Sequence, residues 1–350
     1  MHLNFKLTKL GQKGHAHWLV PAFVLVVVSV VGVRILSAGH AAIPVDNDPP
    51  SGIMIQVSTL SPTVTPAILK SWLDSIRANN RNSSKKGFIN TITLEDIADQ
   101  NGNLLTDYLK VIAPYLPGGN NKAFNTAYIG TVDLPWTGGG SGKYIDGIEN
   151  AAFRTQNVDL SVKVAKAFRS LYPNIQANWY ITYEANLAGF FDPNIEKSYI
   201  TYINSLISSL SLVTPNQYFM WSPAFWTPYP TDSSTLWEQP ALKANFTDFF
   251  STVKGHLVLN IQDFVGQSNG KFTKENAVTW LNYLKQNWPA PTSYRTLEVN
   301  VEQFKLSSTG VISVGDPTEV PAREQYYIQQ GYPVGPSWEI RYWHQRLYGA

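Results

Sequence analysis

Cysteine is absent from these 350 residues, so no disulfide braces the chain and no thiolate is available as nucleophile or metal ligand. Charge is also sparse. Asp, Glu, Lys and Arg make up 15% against 44% hydrophobic residues, which excludes a disordered, solvating chain and suits a well-filled core. Histidine is scarcer still: beyond residue 41 only His256 and His344 remain, too few for a His-based metal site or a Ser-His-Asp triad. No metal or cofactor is implied. Acid is missing from the first 41 residues, which carry Lys6, Lys9, Lys13 and Arg34. Setting those four cations aside leaves 23 Lys and Arg against 25 Asp and Glu, so the formal +2 of the whole chain turns slightly negative. A body of that charge has no electrostatic footprint for nucleic acid.

The leading segment has its own logic. Residues 1–17 are basic and polar, Leu19–Val33 is almost wholly apolar, and small residues follow at Ser37, Ala38, Gly39, Ala41 and Ala42. That is the order of an export signal, with cleavage expected after Ala41. The rival outcome is retention as a membrane anchor, although 15 apolar residues are short for a span of ~20. Export to the cell surface or beyond is the expectation in either case, and the membrane would be touched only by residues 1–41. Residues 42–51, with Pro44, Asp46, Asp48, Pro49 and Pro50, read as a linker to a single domain over 52–350.

Within that domain β-like and helix-like runs alternate eight times. Strands are expected at Gly52–Val57, Gly87–Ile92, Ala127–Val132, Ala177–Tyr183, Gln217–Ser222, His256–Gln262, Thr296–Val301 and Pro336–Trp343. Helices are expected between them, for example at Pro66–Asn79, where proline suits the first turn, and at Val158–Leu171, where apolar residues recur at helical spacing. Eight such rounds predict a parallel sheet closed into a (β/α)8 barrel, whose functional groups sit where strands end.

Two glutamates fall at such ends. Glu184 closes Trp179-Tyr-Ile-Thr-Tyr-Glu on the fourth strand, and Glu302 closes Thr296-Leu-Glu-Val-Asn-Val-Glu on the seventh. Strand parity puts Glu298, Asn300 and Glu302 on one face, and Ser337, Glu339, Arg341 and Trp343 likewise on the eighth strand. A Glu339 or Glu298 paired with Arg341 would be structural. Facing carboxyl groups are the minimal equipment for glycosidic cleavage, one as acid and base, the other as nucleophile or as base for water. Gln262, Asp263 and Asp133, each at a strand end, are candidate contacts to sugar hydroxyls, and so is Asn300. Aromatics reach 13% of the chain, and Trp136, Tyr183, Trp221, Trp226 and Trp343 are candidates for stacking on sugar rings. Tyr229, Trp237 and Trp338 belong to the same crown. Thr137-Gly-Gly-Gly-Ser-Gly-Lys-Tyr looks like a phosphate loop but lacks its leading Gly and trailing Ser or Thr, so it reads as a flexible connection.

Several short pieces together resemble a known group. They are Gly52-Ile-Met-Ile-Gln, Tyr128-Ile-Gly, Tyr180-Ile-Thr-Tyr-Glu184, Trp221-Ser-Pro-Ala-Phe, Gln262-Asp-Phe-Val-Gly and Asn300-Val-Glu302. In that order they resemble a family of exported bacterial barrel proteins of unassigned function within the glycoside hydrolase superfamily. The layout also resembles the retaining clan with its acid/base Glu on strand four and its nucleophile Glu on strand seven. That resemblance implies Glu184 as acid/base, Glu302 as nucleophile, a carbohydrate substrate and no cofactor. Tyr183 departs from the clan, which has Asn before the acid/base Glu to bind a sugar 2-hydroxyl. The expected activity is a secreted glycoside hydrolase. Its rivals are a non-catalytic carbohydrate-binding barrel and an inverting or transferring enzyme on the same scaffold.

Overall fold

A computed structural model of the chain describes residues 52–81, 89–224, 240–286 and 294–348. The expected export segment and linker, together with Trp226, Tyr229 and Trp237, lie outside the described residues. No helix among the described residues is long and apolar enough to cross a membrane.

Strands and helices alternate as β1 (Gly52–Gln56), α1 (Pro66–Arg81), β2 (Thr91–Glu95), α2 (Thr106–Ile112), β3 (Thr126–Gly130), α3 (Ala151–Leu171), β4 (Asn178–Ile181) and α4 (Pro193–Val213). They continue as β5 (Tyr218–Trp221), α5 (Pro240–Thr252), β6 (His256–Gln262), α6 (Lys274–Gln286) and β7 (Tyr294–Asn300). A hairpin of β8 (Phe304–Leu306) and β9 (Ile312–Val314) precedes α7 (Glu319–Gln329), β10 (Pro336–Ser337) and α8 (Ile340–Tyr348). Parallel pairing runs from β1 through β7, and β10 pairs with the other edge of β1. The gap between β7 and β10 is bridged at Val299 and Val334, and the Gly335 amide donates to the Val299 carbonyl at 3.0 Å. The outcome is a nearly closed (β/α)8 barrel.

Two apolar layers follow from strand parity. Ile53 and Ile55 of β1, Ile92 and Leu94 of β2, and Trp179 and Ile181 of β4 point outward and join the helices in the main core. Met54, Tyr128, Tyr180, Met220 and Val258 point inward and fill the barrel. Contacts that span non-adjacent strands prove the inward aim: Thr93 Oγ1 lies 3.6 Å from Met220 Sδ, and Asn300 Nδ2 lies 3.3 Å from Met54 Sδ. Parallel strands covered on both faces read as unbroken apolar runs, which is why Gly52-Ile-Met-Ile-Gln shows no alternation.

Three elements differ from expectation. Helix α3 starts at Ala151, seven residues early, because Asn150 accepts a hydrogen bond from the Phe153 amide and caps it there. The second strand runs Thr91–Glu95, beyond the expected Gly87–Ile92, so Glu95 and Asp96 arrive at the rim where strands end. The eighth strand stops at Ser337, and Ile340–Tyr348 is helix. Glu339, Arg341 and Trp343 therefore do not share a strand face. Arg341 Nε nonetheless pairs with buried Glu339 Oε2 at 2.5 Å, the structural ion pair expected of those two residues.

Candidate active site

The strand-end rim gathers side chains from β2, β3, β4, β6 and β7. Glu184 lies three residues past the end of β4, half-buried, and its Oε1 accepts a 2.8 Å hydrogen bond from Gln262 Nε2. The same Gln262 nitrogen donates to the Ser222 carbonyl, also at 2.8 Å, so β6 and β5 together aim the amide at the carboxyl. Burial pushes Glu184 up to about 7 against the pull of Lys143, and Asp133 and Asp96 push the same way as burial.

Asp133, three residues past β3, forms an ion pair with Lys143. Burial pushes it up to about 6, and the Lys143 ammonium holds it back. Glu95, at the end of β2, is 5% exposed and raised well above the carboxylate range by burial first, then by Glu184 and Asp96. Asp96 follows in a left-handed turn (φ 46°), its Oδ2 accepting from Gln56 Nε2 at 2.9 Å and Ser58 Oγ at 3.1 Å. Among the described residues no group of three such side chains is arranged to hold a metal ion.

Glu302 follows β7 by two residues and is only 2% exposed. Its Oε1 accepts from Gln267 Nε2 at 2.7 Å and its Oε2 from the Gln267 amide at 2.8 Å. Gly266 makes this grip feasible: a Cβ there would sit 2.2 Å from the Phe304 carbonyl and 3.0 Å from Glu302 Oε2. Burial pushes Glu302 up to about 8, Asp263 adds to the rise, and the Gln267 donors oppose it.

Several expected sugar contacts point elsewhere. Asp263 follows inward-facing Gln262 and so faces the helices. Its Oδ2 lies 3.0 Å from Arg323 Nε and accepts from the Tyr327 hydroxyl at 3.1 Å, while Oδ1 accepts the Glu302 amide at 3.2 Å. Its role is to bolt α7 to the ends of β6 and β7. Both partners are fully buried, so Arg323→Met would strand a carboxylate in the core. We expect a loss of about 3–5 kcal/mol, read as a lowered denaturant midpoint. Trp221 has the same outward parity and is fully buried, donating its indole N–H to the Tyr183 carbonyl at 2.9 Å. Tyr183 is 1% exposed, packs edge-on or tilted against Tyr144, Phe153, Tyr199 and Tyr202, and donates its hydroxyl to the Lys143 carbonyl. Trp343, on α8, is buried in the main core. Asn300 faces inward but spends its polar atoms inside the barrel: Nδ2 donates to Ser222 Oγ at 3.0 Å and Oδ1 accepts the Trp338 amide at 3.0 Å.

Of the expected sugar contacts, Gln262, Asp133 and half-buried Trp136 stay at the rim with Glu184 and Glu302; the Trp136 indole N–H donates to the Gly139 carbonyl at 2.7 Å. Half-buried Trp338 joins them from the end of β10, edge-on to Phe304. Glu95, Asp96, Lys143 and Gln267 escaped the sequence reading. The alternation in Thr91-Ile-Thr-Leu-Glu, with Thr91, Thr93 and Glu95 on one face, was the signal for Glu95. Lys143 was hidden by the likeness of its segment to a phosphate loop.

No protein-family model matches the chain, and no curated protein matches it. Solved structures do. A protein from Bacteroides thetaiotaomicron VPI-5482 that carries a provisional alpha-L-fucosidase name aligns over 88% of this chain and 92% of its own, with TM-score 0.54 and 10% identity. A GH5_18 protein from Streptomyces cattleya, in complex with GlcNAc, aligns over 84% of this chain and 71% of its own, with TM-score 0.51 and 8% identity. At such identities the likeness establishes the barrel fold alone.

Proposed function

We propose that this barrel is a glycoside hydrolase in which Glu184 donates a proton to the departing glycosidic oxygen and Glu302 attacks the anomeric carbon. The observation that carries the reading is the placement of Glu184, past the end of β4 with its carboxyl aimed by Gln262. It stands half-buried at the exit of β4, oriented by Gln262 and pushed up to about 7, so it holds a proton near neutral pH. An acid tuned in this way is what leaving-group protonation requires. Glu302 sits across the ring order from it, after β7, and both its oxygens accept hydrogen bonds from Gln267, which favour the ionised form. After attack, Glu184 as carboxylate would take a proton from water, and that water would release the sugar from Glu302 with the original anomeric configuration. The names of the two similar structures, and the GlcNAc held by one of them, support a carbohydrate as substrate. An exported chain would meet that carbohydrate at or beyond the cell surface.

A second reading is favoured by one observation. Asp133 stands at the rim with its carboxyl paired to the Lys143 ammonium, which opposes the rise that burial causes, whereas Glu302 is 2% exposed with no cation on its carboxyl oxygens among the described residues. In this reading Asp133, on the adjacent strand, is the working carboxylate and Glu302 is structural.

The pH profile of kcat/KM on a panel of polysaccharides and aryl glycosides tests both. The donor must keep its proton, so turnover falls as pH rises through the acid's value; the anion must lose its proton, so turnover falls as pH drops through the anion's. Glu302 as anion gives a narrow bell between about 7 and about 8, whereas Asp133 gives one between about 6 and about 7. No turnover on any member of the panel at any pH would overturn the hydrolase reading itself.

A further inference from the structure

The glycine-rich segment after β3 delivers a cation to the carboxyl rim. Gly139, Gly140 and Gly142 all take left-handed backbone (φ 77°, 80° and 97°), and a Cβ on Gly140 would lie 2.6 Å from Asp146 Oδ2. The segment therefore curls around Asp146, whose Oδ2 accepts the Gly142 amide at 2.9 Å, and a single π turn starts at Lys143. Lys143 points back to the rim. Its ammonium pairs with Asp133 and lies 4.8 Å from the Tyr144 ring and 5.8 Å from the Tyr183 ring. Its side chain is 13% exposed and that of Asp133 16%, so the pair is largely out of water.

The backbone around it is tied to the backbone of Glu184. Tyr183 donates its hydroxyl to the Lys143 carbonyl, and the Tyr199 hydroxyl lies 3.3 Å from both the Tyr144 and the Glu184 carbonyl oxygens. The segment is thus stitched to the exit of β4, and the placement of Lys143 relative to Glu184 is set by three elements: the segment itself, β4 and α4.

We propose that Lys143 is a positioning residue for Glu184: the glycine-rich segment clamps its ammonium onto Asp133 and over the Tyr183 ring, beside the carboxyl that leaves β4. The inference rests on the reading of Glu184 as proton donor. The groups that bear on Glu184 are Lys143 and Asp133 from the β3 side, Glu95 and Asp96 from β2, Gln262 from β6, and the phenols of Tyr144, Tyr180 and Tyr199. Lys143 is the cation of that set and holds Glu184 down, whereas Asp133 pushes it up. The two halves of one ion pair therefore act on Glu184 with opposite sign.

That sign is the test. Carboxyl NMR of glutamate-labelled protein, with the Glu184 signal assigned by its absence in E184Q, follows the titration without needing a substrate. In K143M the Glu184 titration is expected to move up by about one pH unit, and in D133N down by a similar step. K143R, which keeps the charge, is expected to return it to the wild-type position. A merely structural ion pair would shift both variants alike or neither. Same-sign shifts, an unmoved Glu184, or failure of K143R to restore the titration would overturn the proposal. Opposite shifts in the two variants, together with a wild-type protein that cleaves no glycoside, would uphold the role of Lys143 and overturn the hydrolase reading instead.

Discussion

Glu184→Gln is expected to cost about 10²–10⁴ in kcat/KM on oligosaccharides, because the amide keeps the shape of the carboxyl but has no proton to give. The loss should depend on the leaving group. A sugar alkoxide cannot depart unprotonated, so natural linkages should lose the full factor. An aryl glycoside with an acidic phenol departs largely without help and should lose far less in the bond-breaking step. Thermal or denaturant unfolding should show the variant folded, since Glu184 is half-buried and, among the described residues, its carboxyl accepts a side-chain hydrogen bond from Gln262 that an amide oxygen can also accept. Equal losses on both substrate classes would assign Glu184 to binding rather than proton donation.

The second large effect separates the two readings of the partner carboxylate. If Glu302 attacks carbon, Glu302→Gln should lower turnover by about 10⁴ or more, and Asp133→Asn should leave most of it, with a shifted pH profile. If Asp133 is the working anion, the ranking inverts. The structure supplies a reason for each outcome. Glu302 is gripped at both oxygens by Gln267, a device that can hold an attacking carboxylate in line, yet its burial pushes it up to about 8. Asp133 titrates lower but is engaged by Lys143. Gln267→Ala is a useful companion. It removes the side-chain donor to Glu302 and should depress turnover only if Glu302 is the anion at work.

The alternation of runs was enough to read the barrel. His256–Gln262 is observed with the expected ends, and most other elements shift by one to three residues. The larger errors have physical causes. The second strand is displaced because Thr91, Thr93 and Glu95 line the barrel interior, so its apolar signal is confined to Ile92 and Leu94. The eighth is cut short because Ser337 is followed by a helix whose buried Ile340 and Trp343 mimic an apolar strand.

The site was legible in part. Glu184, Gln262 and Asp133 were placed by their position at strand ends, and the structure brings them together. Trp221, at the end of β5, Tyr183, two residues past β4, and Asp263, one past β6, are buried away from the rim. One step along β5 or β6 turns a side chain from the barrel axis to the helices, and composition carries no mark of that step. Lys143 could be placed only by the curl of the glycine-rich segment, which brings it onto a carboxylate from the neighbouring turn.

The proposed hydrolase works through a carboxyl pair, with Glu184 as acid and Glu302 as nucleophile. Slow 2-fluoro glycosyl donors that bear good leaving groups should trap the attacking carboxylate, to be read by intact and peptide-resolved mass spectrometry. One added glycosyl unit is expected, located on Glu302, formed in the wild type and absent in E302Q. Steady hydrolysis with no adduct on Glu302, or an adduct on Asp133, would contradict it.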